Sequence, residues 1–175
     1  YDLAENKTQY RDSTLEQLGF PSKVNVYFKV SENDNSNLIE GSSEDDWVFG
    51  DELNDHLVGG AGDDILVGWD GDDYVEGDDG NDLIIGGSGE GDDTYYGGAG
   101  ADTVKYTSAT AGILVDLDNG VALSLDEDAG IGSDELSEIE NIVASYHFDR
   151  LIGDAANNAF YALSGNDTLN GGAGN

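Results

Sequence analysis

The chain reads as an all-β protein, a solenoid of short parallel strands wound in two layers. Two observations carry this. A nine-residue unit repeats from Gly59 to Lys105 as GGAGDDILV, GWDGDDYVE, GDDGNDLII, an expanded GGSGEGDDTYY and GGAGADTVK. Each unit joins a hexapeptide rich in glycine and aspartate to an apolar triplet, which reads as a turn followed by a strand too short for a helix. A short fixed period of this kind belongs to stacked repeats, in which each unit covers the open face of its neighbour.

In chain order, residues 1–31 carry no repeat and read as a lead-in that caps the first coil. Ser13-Thr14-Leu15-Glu16 has capping-box spacing, and Gly19 would end a short helix there. Val24 to Val30 alternates with period two, the pattern of a strand with one buried face. Residues 32–105 form the first repeat block. Its sixth positions are Asn37, Asp46, Asp55, Asp64, Asp73, Asp82, Asp93 and Asp102, and its eighth are Ile39, Val48, Leu57, Leu66, Val75, Ile84, Tyr95 and Val104. The outer units ENDNSNLIE and GSSEDDWVF lack most of the glycines, as units that close a solenoid do.

Residues 106–143 break the frame. Ile113 to Leu117 reads as a strand, Asn119-Gly120 as a turn, Asp126-Glu127-Asp128 as a solvated loop, and Glu138 to Val143 as a further strand. The frame returns over 144–175 with ASYHFDRLI, GDAANNAFY, ALSGNDTLN and GGAGN, placing Asp149, Asn158 and Asp167 at the sixth position. The expected organisation is two roll blocks joined by a strand-containing insertion on one axis. Tyr1 at the start and GGAGN in mid-repeat at the end predict a piece of a longer polypeptide.

Charge sets the next constraint. Thirty-eight Asp and Glu against six Lys and Arg give a formal charge of −32. Self-repulsion of that size opposes compaction, while the periodic apolar content of 38% favours it. Both hold if folding depends on a bound cation. The same charge excludes nucleic acid as a partner, and no apolar run is long enough to cross a bilayer. With no cysteine, disulfides and thiolate metal sites are excluded.

The turn chemistry selects the cation. Glycine adopts positive φ at little cost and lets neighbouring backbones approach, so carbonyl oxygens can face inward. Two units of nine complete a coil, so units two apart stack on one edge with strands roughly 4.8 Å apart. A cation between them meets two aspartates and several carbonyls. Calcium suits this set, being hard, oxygen-seeking and content with six to eight ligands at roughly 2.3–2.6 Å, whereas magnesium demands a tighter octahedron. The expected stacked pairs are Asp64 with Asp82, Asp55 with Asp73, Asp73 with Asp92 and Asp93, Asp82 with Asp102, Asp46 with Asp64, and Asp149 with Asp167. Backbone at the first and third positions completes the candidate ligand set: Gly59, Ala61, Gly68, Asp70, Gly77, Asp79, Gly86, Gly97 and Ala99. Several calcium ions, roughly five to seven, would satisfy that array.

GGAGDDILV and SGNDTLNGGAGN make residues 41–105 and 144–175 closely resemble the RTX, or haemolysin-type calcium-binding, repeat family. The resemblance implies a right-handed parallel β-roll and export by a type I secretion system from a Gram-negative bacterium, hence a secreted or cell-surface location. Leu53 at a fourth-glycine position, Trp69 at a second-glycine position, and Asn37 and Asn158 in place of aspartate depart from the pattern. Those turns are expected to bind weakly or not at all.

The resemblance implies a non-catalytic module that folds on export and supports a larger adhesin, toxin or hydrolase. The alternative is a calcium-dependent carbohydrate-binding or adhesive module, with a glycan or host surface as partner and Trp47, Trp69, Tyr74, Tyr95 and Tyr96 as stacking residues. Ice binding would need a regular threonine array, and the repeats supply only Thr94, Thr103 and Thr168. An enzyme is not expected, since His56 and His147 lack a serine or cysteine constellation.

Overall fold

The computed structural model describes residues 7–10, 24–28, 38–86, 91–125 and 129–174. The helix expected at Ser13–Glu16, the acidic loop at 126–128 and Asn37 lie outside them. Every regular element among the described residues is a strand, and parallel strands stack into a β-solenoid of about 7 turns.

The turn geometry explains the winding. At the second position of a unit the backbone enters the left-handed region, with φ of 106° at Gly60 and 103° at Gly98. A side chain at Gly60 would collide with the Ser42 carbonyl of the stacked turn, so glycine is required for fit as well as for φ. Trp69 and Asp78 occupy the same position with φ of 77° and 72°, a strained choice for residues carrying a Cβ. Each turn thereby delivers the chain from one sheet to the other every nine residues.

In one sheet β2 (Val24–Phe28), β4 (Asp46–Phe49), β6 (Ile65–Val67), β8 (Leu83–Ile85), β10 (Thr103–Lys105), β14 (Asn141–Val143) and β16 (Ala159–Tyr161) lie in parallel, with β1 (Lys7–Tyr10) antiparallel on the β2 edge. The facing sheet runs from β3 (Leu38–Glu40) through β5 (His56–Ala61), β7 (Tyr74–Asp79) and β9 (Thr94–Ala99) to β13 (Ser133–Ser137), β12 (Val121–Ser124), β11 (Ile113–Asp116), β15 (Arg150–Ile152) and β17 (Thr168–Asn170). The stacking interval is two units: Leu66 aligns with Ile84, and Leu57 with Val75.

The insertion joins the same stack. After β10 the chain places β11 three positions beyond β9 in the facing sheet, leaving room for two strands, then returns through antiparallel β12 to β13, which pairs in parallel with β9. Asn119-Gly120 belongs to the β11–β12 hairpin turn, and Gly120 has φ of 66°. The segment read as a strand from Glu138 is narrower, β14 beginning at Asn141, and β12 and β13 were not foreseen. The core is one line of eighth-position side chains, Ile39, Val48, Leu57, Leu66, Val75, Ile84, Tyr95 and Val104, continued by Ile142 and Leu151. The insertion adds Ile113, Val115, Ile131, Leu136 and the wholly buried Tyr106.

Candidate metal centre

The strands fix where each sixth-position aspartate falls. Each lies at or just before the start of a strand, at the edge of the solenoid, and the Oδ1 of Asp64, Asp73, Asp82, Asp93, Asp102 and Asp167 accepts the backbone N–H of the equivalent residue one coil earlier. On one edge Asp46 donates to Asp64 at 2.7 Å, Asp64 to Asp82 at 2.8 Å and Asp82 to Asp102 at 2.8 Å. On the other, Asp55 donates to Asp73 at 2.8 Å and Asp73 to Asp93 at 2.9 Å. Asp149 donates to Asp167 at 2.9 Å in the second block. The structure thus brings together each of these stacked pairs.

The second carboxylate oxygen is the informative one. Oδ2 of Asp64, Asp73, Asp82 and Asp102, and Oδ1 of Asp46, are buried with no donor among the described residues. Buried polar atoms are nearly always satisfied, so a row of orphaned carboxylate oxygens needs a partner of positive charge. Beside them stand backbone carbonyls: the open position next to Gly59 faces Asp64 Oδ2 and the Gly77 carbonyl, and that next to Gly77 faces Asp82 Oδ2 and the Gly97 carbonyl. Gly68 faces Asp73 Oδ2 in the same manner. A Cβ at any of these glycines would fill the cradle.

Electrostatics agree. Burial pushes the carboxyls of Asp64 and Asp73 up to about 7 and that of Asp82 up to about 6; backbone N–H bonds hold each shift back, and neighbouring carboxylates add to it. Asp102 is raised too, by burial first, with Glu140 and Glu138 among the charges that add to it. Ionised aspartates stacked at this spacing demand a cation. Among the described residues no three Asp, Glu or His side chains converge as a ligand group. The donor set is instead paired carboxylates alternating with carbonyls, all oxygen, which fits calcium and not a soft or imidazole-seeking metal.

Not every turn is alike. At the expanded unit Asp93 Oδ2 accepts the Tyr95 hydroxyl at 2.6 Å, and the stacked residue is Asp134 of the insertion, whose Oδ2 accepts the Tyr106 hydroxyl at 2.8 Å. Gly86, read as a carbonyl donor, packs against the rings of Tyr95 and Tyr106. Burial pushes the Asp134 carboxyl up to about 8. Tyrosine hydroxyls therefore occupy here the oxygens left orphaned in other turns. In the glycine-poor turn at 144–149, Asp149 is engaged by the Ser145 N–H and hydroxyl and the Ile113 N–H. Asn158 accepts from the Asp154 N–H at 2.9 Å, as Asp46, Asp55 and Asp149 accept within their own turns.

The side chains of Asp70, Asp79, Asp92 and Ala99 are exposed and that of Ala61 is half-buried, which leaves their backbone as the part facing the turns. Sequence reasoning missed a second ladder. Fifth-position side chains accept N–H groups one coil onward: Asp63 to Asp45, Asp72 to Asn54, Asn81 to Asp63, Asp92 to Asp72 and Ala101 to Asn81, at 3.0, 3.0, 2.9, 3.0 and 3.1 Å. The signal was present, since Asp or Asn fills that position in every unit from Asp45 to Asp92. Asp134 and Glu140, outside the repeats, carried no such signal.

His56 meets the Tyr74 ring edge-on at 4.9 Å, and its Nε2 lies 3.4 Å from Glu76. Tyr95 is in the core, not on an aromatic surface. Among the described residues no helix is long and apolar enough to cross a membrane. In comparison with known proteins, the family model of the RTX calcium-binding nonapeptide repeat matches four copies, at residues 33–52, 49–84, 70–104 and 144–175. No curated protein matches the chain.

Proposed function

Because this chain belongs to the RTX calcium-binding nonapeptide repeat family, we propose that it is a calcium-triggered folding module of a larger exported protein, unfolded where calcium is scarce and ordered outside the cell. The observation that carries the reading is the row of orphaned, buried carboxylate oxygens in a chain of formal charge −32. Calcium, when bound, supplies the positive charge that lets facing carboxylates be buried. The chain's own residues do the rest. Asp64, Asp82 and Asp102 on one edge, and Asp73 on the other, hold oxygens in line through the N–H bonds to their Oδ1 atoms. The first-position glycines keep the cradle open, and the eighth-position aliphatics hold the two sheets together.

In low calcium, repulsion along the aspartate rows opposes closure, which keeps the polypeptide extended for passage through a type I secretion apparatus. Outside, ligation and folding are a single event, since ligands two units apart in sequence meet only in the coil. The role is structural and non-catalytic, and the parent is a secreted or cell-surface adhesin, toxin or hydrolase. Circular dichroism tests the central claim: excess chelator should leave little β structure, millimolar calcium should restore it cooperatively, and equal magnesium should not. The same β content in chelator and in calcium would overturn it.

A further inference from the structure

Register places Ser137 beside Tyr96 and Asn141 beside Thr103, so the insertion turn 138–140 stacks on the repeat turn Gly97–Asp102. Three residues do there what six do in the repeat, yet both ends of the turn are kept. The Glu138 carbonyl faces the open position beside Gly97, as the Gly97 carbonyl does beside Gly77 and the Gly77 carbonyl beside Gly59. Glu138 has φ of 53°, an uncommon conformation for a residue with a long side chain, and the short turn holds it there. At the other end Glu140 Oε2 accepts the Asp102 N–H at 2.9 Å, the bond that Asp102 Oδ1 makes to Asp82 at 2.8 Å. The additional methylene of glutamate supplies the reach lost with the missing residues.

Into this arrangement points Asp102 Oδ2, wholly buried and without a partner among the described residues. The position beside Gly97 faces both that oxygen and the Glu138 carbonyl. We infer that Glu138 and Glu140 complete a further calcium site with the Gly97–Asp102 turn, built from residues outside the repeats. Its ligands are Asp102 Oδ2, the Glu138 carbonyl and the Glu140 carboxylate. The inference rests on the calcium reading above and extends it past the last matched residue of the first block, 104. The shortened turn removes carbonyls and Glu140 is only half-buried, so water completes the shell and affinity is lower than between two repeat turns. The site ties the insertion to the first block, and calcium then orders the solenoid across the break in the frame.

Calcium titration of the full chain by calorimetry, with circular dichroism in parallel, tests this on Glu140→Gln. Glutamine keeps an oxygen to accept the Asp102 N–H but removes the charge, so a merely structural role would leave calcium binding unchanged. The expected result is wild-type β content at saturating calcium with one ion bound roughly 10–100-fold more weakly. Unchanged affinity and stoichiometry would overturn the inference. Should Glu140→Gln fall short of wild-type β content, Glu140→Asp decides: it keeps the charge and withdraws the oxygen, so one ion binds more weakly, and an unaltered titration refutes the site. Asp64→Asn separates the two levels. If it too leaves binding unchanged, the calcium reading itself fails; if it weakens binding while Glu140→Gln does not, only the additional site fails.

Discussion

Leu66→Ala removes a core side chain and touches no ligand. Leu66 has 0% exposure and sits in β6 between Val48 at 0% and Ile84 at 1%, its registered neighbours in β4 and β8. A buried Leu→Ala change costs about 2–5 kcal/mol, most where the surroundings cannot close on the cavity. Here they cannot: Val48 and Ile84 are fixed by strand pairing, and the turns beside them by the Asp46–Asp64–Asp82 ladder. The upper part of the range, about 3–5 kcal/mol, is therefore expected. Folding linked to ligand converts the loss into a higher calcium midpoint. Shared over roughly five cooperatively bound ions, about 4 kcal/mol raises the midpoint about fourfold; carried by a single ion it would be roughly a thousandfold. The assay is a calcium titration followed by circular dichroism, with the number of ions bound at saturation unchanged. Trp69 is the comparator, 49% exposed and at φ of 77°. Trp69→Ala should move the midpoint little, and Trp69→Gly should lower it slightly by relieving the left-handed strain. A larger rise for Trp69→Ala than for Leu66→Ala would refute the assignment of inside and edge along the nine-residue frame.

Asp82→Ala should lower calcium affinity and cooperativity more than Asp46→Ala, because Asp82 links the coils of Asp64 and Asp102 while Asp46 lies toward the outer, glycine-poor end; equal losses in a calcium titration would contradict the stacking. In chelator, acid should favour folding. The folded-state values of Asp134, about 8, Asp64 and Asp73, about 7, and Asp82, about 6, lie above the ordinary 3.8, so the folded chain binds protons more tightly. The stability this contributes is full below 3.8 and is lost as pH rises through 6 to 8. Circular dichroism of the calcium-free chain should therefore show more β structure at pH 5 than at pH 8, and a decrease on acidification would refute the role of the buried aspartates.

The two rows of the frame were legible for different reasons. Leu57, Leu66 and Val75 could be placed inside because a large apolar residue recurring every nine positions has one consistent destination in a two-layer coil. Asp64 and Asp82 could be paired because two units close a coil. The fifth-position ladder through Asp63 and Asn81 was written in the same frame and passed over, since exposed Asp and Asn also read as ordinary turn residues. Trp69 and Asp78 show the limit of the motif from the other side: the turn holds its positive φ there without glycine.

Sequence alone determined what the repeat determines: the period, the two sheets, the buried line of eighth positions and the aspartates stacked one coil apart. Each is set by local backbone geometry repeated at a fixed interval, so one unit predicts the next. Tertiary structure decided what the insertion does. Asp134 meets Asp93 across 41 residues, and Glu140 meets Asp102 across 38, with no period linking either pair. The hydroxyls of Tyr95 and Tyr106 turn to the carboxylates of Asp93 and Asp134 only once both rings are packed inside the coil. These contacts depend on β11 entering the sheet beyond a two-strand gap and the chain turning back to fill it, a path fixed by the fit of whole strands and not by the composition of any one of them.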